Sequence, residues 1–376
     1  MQNKLKTAVV HEWLVNYAGS ERVVESFTNI WKDADIFTLV DFLNQQERDT
    51  IVKGKFPKTS FIQKLPFAEK HHRSYLPFFP LAIEQFDLSS YEVILSSSHA
   101  VAKGVITSAQ QLHISYCHTP MRYAWDFTHQ YLKESNLQKG VKAAIVKMFL
   151  HYLRIWDYST ANRVDYFIAN SKYIAKRIKK IYNKESEVIY PPVDTNLFPC
   201  ETNKENYYVT ASRFVPYKRI DLIVEAFAKM PDKKLLVIGE GPEKDKITAH
   251  AKKNIELLGY QDGEALKKYM QKAKAFVFAA EEDFGIVVIE ALACGTPVIA
   301  LAKGGTAETV VHLKNGIHFK EQTVEKIMSA VNEFERNEQR FDSLAISNDA
   351  ALYDRTIFEQ KFSDFVTQKA ELFFNQ

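Results

Sequence analysis

Two carboxylates in the second half of the chain occupy the positions best suited to chemistry. Glu282 follows the apolar run 275–279 (AFVFA), which is typical of a strand buried on both faces of a parallel sheet. Because open α/β sheets bind ligands beyond the carboxyl ends of their strands, Glu282 is predicted to lie in a binding crevice. Glu290 stands inside an apolar helix pattern, where a buried carboxylate needs partners. Spacing alone leaves two interpretations of Glu290 open: it stabilises a neighbouring loop, or it accepts hydrogen bonds from ligand hydroxyls.

The turn between these carboxylates could face an anion. Phe284 and Gly285 follow the acidic residues 281–283, and a helix is predicted to begin at Ile286. Glycine lets a backbone approach a ligand, and the N–H groups of Gly285 and Ile286 at a helix N-terminus attract negative charge. The run 294–297 (CGTP) ends the helix, and PVIA returns as the next strand. A strand, a loop, a helix and a second strand therefore form one predicted unit.

The spacing of the two carboxylates resembles a known signature. Glu282 and Glu290 are separated by seven residues, with Phe284 and Gly285 between them and the CGTP run after them. This arrangement resembles the E-x7-E signature of retaining glycosyltransferases with the GT-B fold. The segment 211–218 (ASRFVPYK) resembles the Ser-Arg-x4-Lys phosphate-binding segment of the same family. The likeness runs from about residue 8 to about residue 312 and is greatest to bacterial mannosyltransferases of glycosyltransferase family 4.

The resemblance implies roles for individual residues. Arg213 and Lys218 would stabilise the diphosphate that leaves a nucleotide sugar, with help from the N–H groups of Gly285 and Ile286. Glu282 would bind hydroxyls of the transferred sugar, and Glu290 those of the ribose. Side-chain cations and helix dipoles would then replace a metal ion, and no Asp-x-Asp metal motif accompanies them. The expectation is a metal-independent enzyme without a cofactor.

Three further residues are assigned to the site. His118 follows the strand pattern 112–117, and the run 116–122 (YCHTPMR) resembles the segment of related sugar transferases whose histidine borders the transferred sugar. Gly19 lies at the first strand-to-helix turn and resembles the family's glycine loop over the donor phosphates, although Ala18 replaces the usual first glycine. A plain turn glycine is the alternative for Gly19. Gly239 begins a Gly-x-Gly turn after a strand, which is a weak dinucleotide signal by itself.

Length and composition set limits on the protein class. With 376 residues the chain is predicted to form two domains. Lys and Arg total 49 against 46 Asp and Glu, a balance that does not indicate nucleic acid as a partner. Three widely separated cysteines favour a reducing compartment over a disulfide framework. No apolar run reaches the length of a membrane span, so a cytoplasmic protein is expected, with peripheral contact at the inner face of the membrane as a further option.

Alternating strand and helix patterns predict an α/β fold with two doubly wound sheets. The resemblance implies the GT-B architecture, in which two Rossmann-like domains face a central cleft. The stiff run 191–194 (PPVD) marks the expected boundary. We expect an acceptor-binding domain at 1–190, a nucleotide-sugar-binding domain at 191–355, and a terminal helix at 356–376 that packs back on the first domain.

Aromatic and basic residues are concentrated in the first half. One group combines apolar rings with cations in the region 61–86: Phe67, His71, His72, Arg73, Tyr75, Phe78 and Phe79. The segment 140–158 has a helical pattern whose apolar positions are Val141, Ala144, Ile145, Met148, Phe149, Tyr152, Leu153 and Trp156. A core helix with a solvated basic face (Lys142, Lys147 and Arg154) is the simpler interpretation. Adsorption to an anionic membrane surface is the alternative.

The sequence thus predicts a retaining hexosyltransferase. The expected donor is GDP-mannose, with a UDP-sugar as second choice, and the expected acceptor is a glycan or a lipid-linked glycan of bacterial cell-surface polysaccharide assembly. A sugar-nucleotide epimerase on the same architecture is the strongest alternative. An oxidoreductase is disfavoured because no complete G-x-G-x-x-G follows the first strand, and a non-catalytic binding module is the third. The oligomeric state stays open.

Overall fold

The computed structural model describes residues 5–134 and 138–375. The chain divides into two compact units. The first comprises Met1–Tyr190 together with Phe358–Gln376, and the second comprises Pro191–Ile357. Each unit is built around its own parallel sheet, and each is described by itself.

The first unit contains a parallel sheet of seven strands among the described residues. Its strands in chain order are β1 (Thr7–His11), β2 (Asp35–Thr38), β3 (Lys58–Thr59), β4 (Val93–Ser98), β5 (Leu112–Cys117), β6 (Tyr166–Ala169) and β7 (Ser186–Val188). Their order across the sheet is β3-β2-β1-β4-β5-β6-β7. The central strands β1, β4 and β5 are buried along their whole length, as expected for a sheet covered on both faces.

Helices cover both faces of this sheet. They are α1 (Gly19–Ile30), α2 (Gln45–Val52), α3 (Ala68–His71), α4 (Phe79–Glu84), α5 (Thr128–Glu134), α6 (Val141–Thr160) and α7 (Lys172–Tyr182). One buried cluster contains Ile62, Phe79 and Leu153. A second, separate cluster contains Phe27, Ile36 and Tyr116. Local signals set several helix ends: Asn44 and Glu47 form a capping box before α2, and the Ser171 side chain accepts from Ile174 N at the start of α7.

The second unit contains a parallel sheet of six strands among the described residues. They are β8 (Tyr208–Ala211), β9 (Leu235–Ile238), β10 (Ile255–Gly259), β11 (Ala275–Phe278), β12 (Val298–Leu301) and β13 (Gly316–Phe319), in the order β10-β9-β8-β11-β12-β13. The helices are α8 (Ile220–Ala228), α9 (Lys244–His250), α10 (Gly263–Lys272), α11 (Ile286–Ala293), α12 (Thr306–Thr309), α13 (Val324–Arg336) and α14 (Ser343–Ala350).

The last helix, α15 (Arg355–Phe374), belongs to the first unit from Phe358 onward. Its Phe358, Phe362, Val366 and Ala370 are buried in the cluster that contains Phe27. The rings of Phe27 and Phe362 stack with their centroids 4.4 Å apart. The residues of α15 therefore complete the core of the first unit.

Both sheets have the strand order of a doubly wound fold. In each, the first strand (β1 or β8) has its second strand on one side and its fourth (β4 or β11) on the other. The chain therefore leaves the first strand and the fourth strand in opposite directions, which opens a crevice at their carboxyl ends. The prediction of two Rossmann-like α/β domains is confirmed.

The orientation of α6 differs from the simpler interpretation. Its buried residues are Ala143, Leu150, Leu153, Trp156, Asp157 and Thr160. Four positions of the predicted core stripe, Val141, Ile145, Met148 and Tyr152, are instead exposed. The helix is apolar around most of its circumference, so its sequence could not decide which side packs.

The aromatic region 61–86 also divides between core and surface. Prolines break it into short helical turns that include α3 and α4. His72 and Phe79 are buried, so these two side chains pack inside the unit and do not contribute to a surface group. Phe67 and Phe78 are exposed, as are His71 and Arg73.

Candidate functional site

The crevice of the second unit lies where β8 and β11 run side by side. The two strands pair in parallel through Ala275 with Tyr208 and Phe276 with Val209. Their carboxyl ends therefore meet at one edge of the sheet. The loop after β8 carries Arg213 and Lys218, and the loop after β11 carries Glu282. This is the position at which doubly wound sheets bind ligands.

Lys218 and Glu282 form an ion pair across this crevice. The Lys218 ammonium donates to Glu282 Oε1, and both side chains are partly buried. Lys218 belongs to a short helical turn that begins at Pro216 and precedes α8. Its Nζ lies 5.3 Å from the ring centroid of Tyr217 and 5.8 Å from that of Phe278, within reach of cation–π attraction. Two residues that the sequence assigned to different parts of a donor thus contact each other.

Two glycines after β9 determine the path of the loop that carries Arg213. A Cβ on Gly239 would lie 1.9 Å from the Ser212 carbonyl oxygen, and one on Gly241 would lie 2.5 Å from that of Phe214. Both glycines also have φ values, 134° and 154°, that disfavour other residues. Phe214 N donates to Glu240 O at 2.8 Å. Gly239 therefore has a structural reason to be glycine, because it lets the two loops approach. Arg213 is exposed next to this contact.

The backbone of Glu282 is held by the loop after β12. Gly305 N donates to the Glu282 carbonyl at 2.8 Å, and Gly304 forms a bridge with Glu282. A Cβ on Gly304 would lie 2.2 Å from that carbonyl, so only glycine fits. Three strand-end loops, those after β8, β11 and β12, consequently converge around Glu282.

The N-terminus of α11 follows Glu282 after three residues. Gly285 occupies the cap position with φ 91°, in the left-handed region that glycine adopts without strain. No side chain caps the helix there, and its first turn contains no acidic residue. Ile286 begins the helix, and its end could accommodate an anion. Glu290, one turn further along, is buried and has an interaction partner within the protein, so the two interpretations of Glu290 both remain open.

His118 lies at the carboxyl edge of the first sheet. It follows β5, its backbone N donates to Ser98 O at 2.8 Å, and its Nε2 is 2.8 Å from Ser97 Oγ. Asn170 Nδ2 donates to the His118 carbonyl at 2.9 Å. Burial, with added repulsion from His99 and His11, lowers the pKa of His118 to about 3. The imidazole is therefore neutral at physiological pH.

A buried charged cluster surrounds the crevice between β1 and β4, and the sequence analysis did not identify it. His11 Nε2 lies 3.5 Å from Glu21 Oε1, and His99 Nδ1 lies 3.1 Å from Glu12 Oε2. Glu12 Oε1 also accepts from the backbone N of Ala100 at 2.8 Å. The signal was available, because His11 and Glu12 stand at the end of the first strand, where site residues of such sheets concentrate.

Contacts within the cluster raise the pKa of His11 and lower the pKa values of the two carboxylates. Burial by itself would lower the pKa of His11, but the nearby carboxylates of Glu21 and Glu12 raise it. Burial would raise the pKa values of Glu12 and Glu21, but the pairing of Glu12 with His99 and of Glu21 with His11 lowers both. The pKa of His11 is therefore raised between two carboxylates, whereas that of the nearby His118 is lowered.

Gly19 is the first residue of α1, which follows β1 after a loop. The preceding Ala18 provides no side-chain cap, and Arg22 N donates to Ala18 O at 3.2 Å. Glu21, in the same first turn, contacts His11. The predicted role of Gly19 against donor phosphates stays a prediction.

The described residues 5–134 and 138–375 contain no group of three or more His, Cys, Asp and Glu side chains arranged to hold a metal ion. In the same ranges, no helix combines the length and apolar character needed to cross a membrane. Burial raises the pKa of the Cys294 thiol at the end of α11 to about 12, which favours the protonated thiol at neutral pH.

Family models match most of the chain in two consecutive segments. Residues 34–197 match the model described as Glycosyltransferase Family 4, and residues 198–348 match the model described as Glycosyl transferases group 1. Together the two matches cover most of the chain, which identifies it as a glycosyltransferase. The two matches meet close to the boundary between the structural units at residues 190 and 191. Each unit of this glycosyltransferase therefore corresponds to one of the two domain models.

Curated relatives of this glycosyltransferase align over part of their length. An uncharacterized glycosyltransferase of Methanocaldococcus jannaschii is 30% identical over 205 residues, which cover 53% of this chain and 58% of the relative. The N-acetyl-alpha-D-glucosaminyl L-malate synthase of Bacillus anthracis is 33% identical over 152 residues, covering 38% of this chain and 40% of that protein. The chain thus aligns with only about half the length of these relatives.

A solved structure supports the fold over nearly the whole chain. The Anabaena protein Alr3699/HepE, in complex with UDP and glucose, superposes with a TM-score of 0.68 and 16% sequence identity, covering 97% of this chain and 100% of that one. At this identity the similarity concerns the fold. The glycosyltransferase described here therefore has the fold of the GT-B enzymes, with one Rossmann-like parallel sheet in each unit.

Proposed function

We propose that the protein is a retaining hexosyltransferase that moves a sugar from a nucleotide-sugar donor to a glycan or lipid-linked acceptor. The observation that carries this proposal is the convergence of Arg213, Lys218 and Glu282 with the N-terminus of α11 at one edge of the second sheet. These groups have the charges and hydroxyl-binding capacity that a nucleotide sugar requires. In this proposal the second unit binds the donor and the first unit binds the acceptor.

The cations would act on the leaving group. Breaking the bond between sugar and nucleotide leaves negative charge on a diphosphate, and oriented cations and N–H dipoles stabilise that charge as it develops. Arg213 offers a planar fork of donors and Lys218 a mobile ammonium. Arg213 is exposed and Lys218 is partly buried against aromatic rings. The N–H groups of Gly285 and Ile286 would add the positive end of a helix dipole.

The carboxylates would hold sugar hydroxyls. Glu282 lies next to Lys218, so a donor whose phosphate binds Lys218 brings its sugar within reach of Glu282. Glu290 would accept hydrogen bonds from the ribose, a common role of acidic residues in doubly wound nucleotide sites. With a donor bound, Lys218 would then contact the phosphate and Glu282 the sugar hydroxyls, in addition to or in place of each other. We infer that Gly239 contributes to donor binding indirectly, because it lets the loop that carries Arg213 pass close to the turn after β9.

We propose that the reaction retains configuration through front-face attack within a loose ion pair. A phosphate oxygen of the leaving group would accept the proton of the acceptor hydroxyl, so that no enzymatic nucleophile is needed. His118 enters as a neutral imidazole, since its lowered pKa prevents it from carrying charge at physiological pH. It would border the transferred sugar as a hydrogen-bonding group. Arg213 and Lys218 would supply the positive charge without a metal ion.

Two donors are proposed in order of preference. The segments 282–286 (EDFGI) and 303–309 (KGGTAET) resemble those of bacterial mannosyltransferases of polysaccharide assembly, which favours GDP-mannose. A UDP-sugar is the second choice. It is supported by the structural similarity to Alr3699/HepE, whose structure contains UDP and glucose.

A donor panel tests the proposal. Release of nucleoside diphosphate is measured with GDP-mannose, UDP-glucose, UDP-N-acetylglucosamine and UDP-galactose, with and without a glycan acceptor extract. We expect one donor to be consumed well above the others, with faster release when acceptor is present and an α-linked product. Conversion of the sugar nucleotide to its epimer without acceptor would instead identify an isomerase. Failure to consume any sugar nucleotide would contradict the proposal.

A further inference from the structure

The exposed side of α6 carries an apolar stripe. Its members are Val141, Ile145, Met148, Tyr152 and Ile155, which are 78%, 55%, 69%, 50% and 57% exposed. Their spacing alternates between four and three residues, which places all five on one face of the helix. The opposite side, with Leu150 and Leu153, packs in the core of the first unit. Contiguous exposed apolar surface of this kind marks an interaction site.

The charges beside this stripe are positive. Lys147, His151 and Arg154 follow one flank at spacings of four and three, and Lys142 lies on the other flank near the helix start. The one acidic residue of α6, Asp157, is buried and accepts from Trp125 Nε1 at 2.7 Å and Tyr182 OH at 2.9 Å. The exposed surface of α6 therefore combines apolar side chains with cations and contains no anion.

A cavity of about 550 Å³ opens along the basic flank. Its lining includes Trp125, His129, Lys147 and Arg154. Lys147 Nζ donates to Gln138 O at 3.1 Å and Arg154 Nη1 donates to Ala124 O at 3.0 Å. Asp126 also lines this cavity but forms an ion pair with Arg177, so the hydrogen-bond partners given for Lys147 and Arg154 are carbonyls. A negatively charged group next to the apolar stripe would be attracted to this flank.

We propose that the exposed face of α6 docks on an anionic lipid surface. The five apolar side chains would enter the boundary between headgroups and acyl chains, and the cations would contact the phosphates. Two copies of the chain packed stripe to stripe would bring basic flanks together with no acidic side chain of α6 to pair them. Charge complementarity therefore favours a lipid surface over a second copy. The proposal goes beyond sugar transfer and does not require it.

Vesicle sedimentation without donor or acceptor tests the electrostatic half of this proposal, so its result is independent of the proposed transfer. We expect the protein to bind vesicles of three parts phosphatidylcholine and one part phosphatidylglycerol at low salt, and to bind pure phosphatidylcholine vesicles much less. Added salt should weaken binding by screening. The double variant Lys142→Glu/Lys147→Glu should reduce partitioning at least about tenfold.

The chain offers a matched control for the charge change. Lys176→Glu/Lys180→Glu makes the same change at exposed positions of α7, a helix whose buried side packs in the same unit. Because no large exposed apolar residue lies on α7 among the described residues, this control should stay within about threefold of wild type. Equal losses in both variants would show a general charge effect and overturn the assignment to α6.

The apolar half is tested by Ile145→Ser/Ile155→Ser, with Ile106→Ser as the control at an exposed position of the same unit. The double variant should weaken vesicle binding about tenfold, whereas the control should not. These side chains are exposed, so thermal unfolding should be nearly unchanged. The proposal is wrong if wild type ignores anionic vesicles at low salt or if the double variant binds normally. It is also wrong if wild type is a dimer that the double variant loses.

Discussion

Lys218 and Glu282, 64 positions apart in the chain, form an ion pair at the carboxyl edge of the second sheet. The pair joins the loops that follow β8 and β11, the two strands on either side of the crevice. Each partner neutralises a charge that the proposed reaction would use.

Replacing Glu282 by glutamine should separate donor binding from turnover. Without the carboxylate, the Lys218 charge is fully available to a phosphate, so the affinity for GDP or UDP should rise roughly threefold or more, in line with a partly exposed ion pair. Turnover should fall about tenfold or more, because the sugar loses a hydroxyl acceptor. Titration calorimetry and diphosphate release measure the two effects. Glu281→Gln is the neighbouring control, and equal behaviour of both variants would refute the role of Glu282.

Gly239→Ala should destabilise the second unit. The new Cβ would meet the Ser212 carbonyl at 1.9 Å, at a φ of 134° that alanine rarely adopts. We expect the free energy of unfolding to fall by about 2 kcal/mol or more. Gly263→Ala is the matched control, since its Cβ would meet nothing within 4 Å. Denaturant unfolding compares the two variants, and an unchanged midpoint for Gly239→Ala would contradict the close loop contact.

Two histidines of the first unit should have pKa values shifted in opposite directions from the usual value. The pKa of His11 is raised above its usual 6.5 by Glu21 and Glu12 despite burial, and that of His118 is lowered to about 3 by burial. Ring resonances of labelled histidine, assigned with single His→Gln variants, should show His11 protonated at pH 6.5 and His118 neutral throughout the neutral range. A His118 ring that titrates near pH 6 would contradict the described surroundings.

The same shift has a consequence for stability. Because the folded pKa of His11 lies above that of the unfolded chain, its contribution to stability is complete below pH 6.5 and is lost as pH rises through the raised value. The difference in unfolding free energy between wild type and His11→Gln should therefore shrink as pH increases above 6.5. A difference that grows with pH would mean that His11 is not the charged partner of Glu21.

Local sequence patterns predicted the elements that position the proposed donor site. The run AFVFA became β11 (Ala275–Phe278), and the apolar stretch after Gly285 became α11 (Ile286–Ala293). A left-handed glycine, a helix start and a buried strand depend on neighbouring residues, so the sequence contains their signals. By contrast, β13 (Gly316–Phe319) was not predicted, because its glycine and histidine form a strand only through pairing with β12.

Tertiary contacts account for what could not be predicted. The helix of α6 was expected, but its buried side was not, because Val141 and Leu153 are equally apolar and only packing against the first sheet separates them. The Lys218–Glu282 pair has the same character, since it depends on how three strand-end loops converge. From the sequence, Lys218 and Glu282 were each assigned to a part of the ligand, and no local pattern indicates that the two side chains contact each other.

Removal of metal ions by chelation tests, without any mutation, the proposal that side-chain charges stabilise the leaving diphosphate. If Arg213, Lys218 and the α11 N-terminus stabilise the leaving diphosphate, transfer should continue at an unchanged rate in excess EDTA. Diphosphate release from the preferred donor, measured before and after chelation, checks this. Loss of transfer in EDTA with recovery in magnesium or manganese would show that a metal ion performs the work assigned to the side chains.

Turnover of Arg213→Ala and Lys218→Ala tests the central claim most directly. Each variant removes donors from the leaving group, so the rate of diphosphate release from the preferred donor should fall about 100-fold or more, and further in the double variant. Neither change should alter the fold, since Arg213 is exposed and Lys218 is partly buried at a loop. Lys229→Ala, on an exposed position at the end of α8, should keep the wild-type rate. Near-normal turnover in a folded Arg213→Ala/Lys218→Ala double variant would contradict the assignment of the donor phosphates to this site.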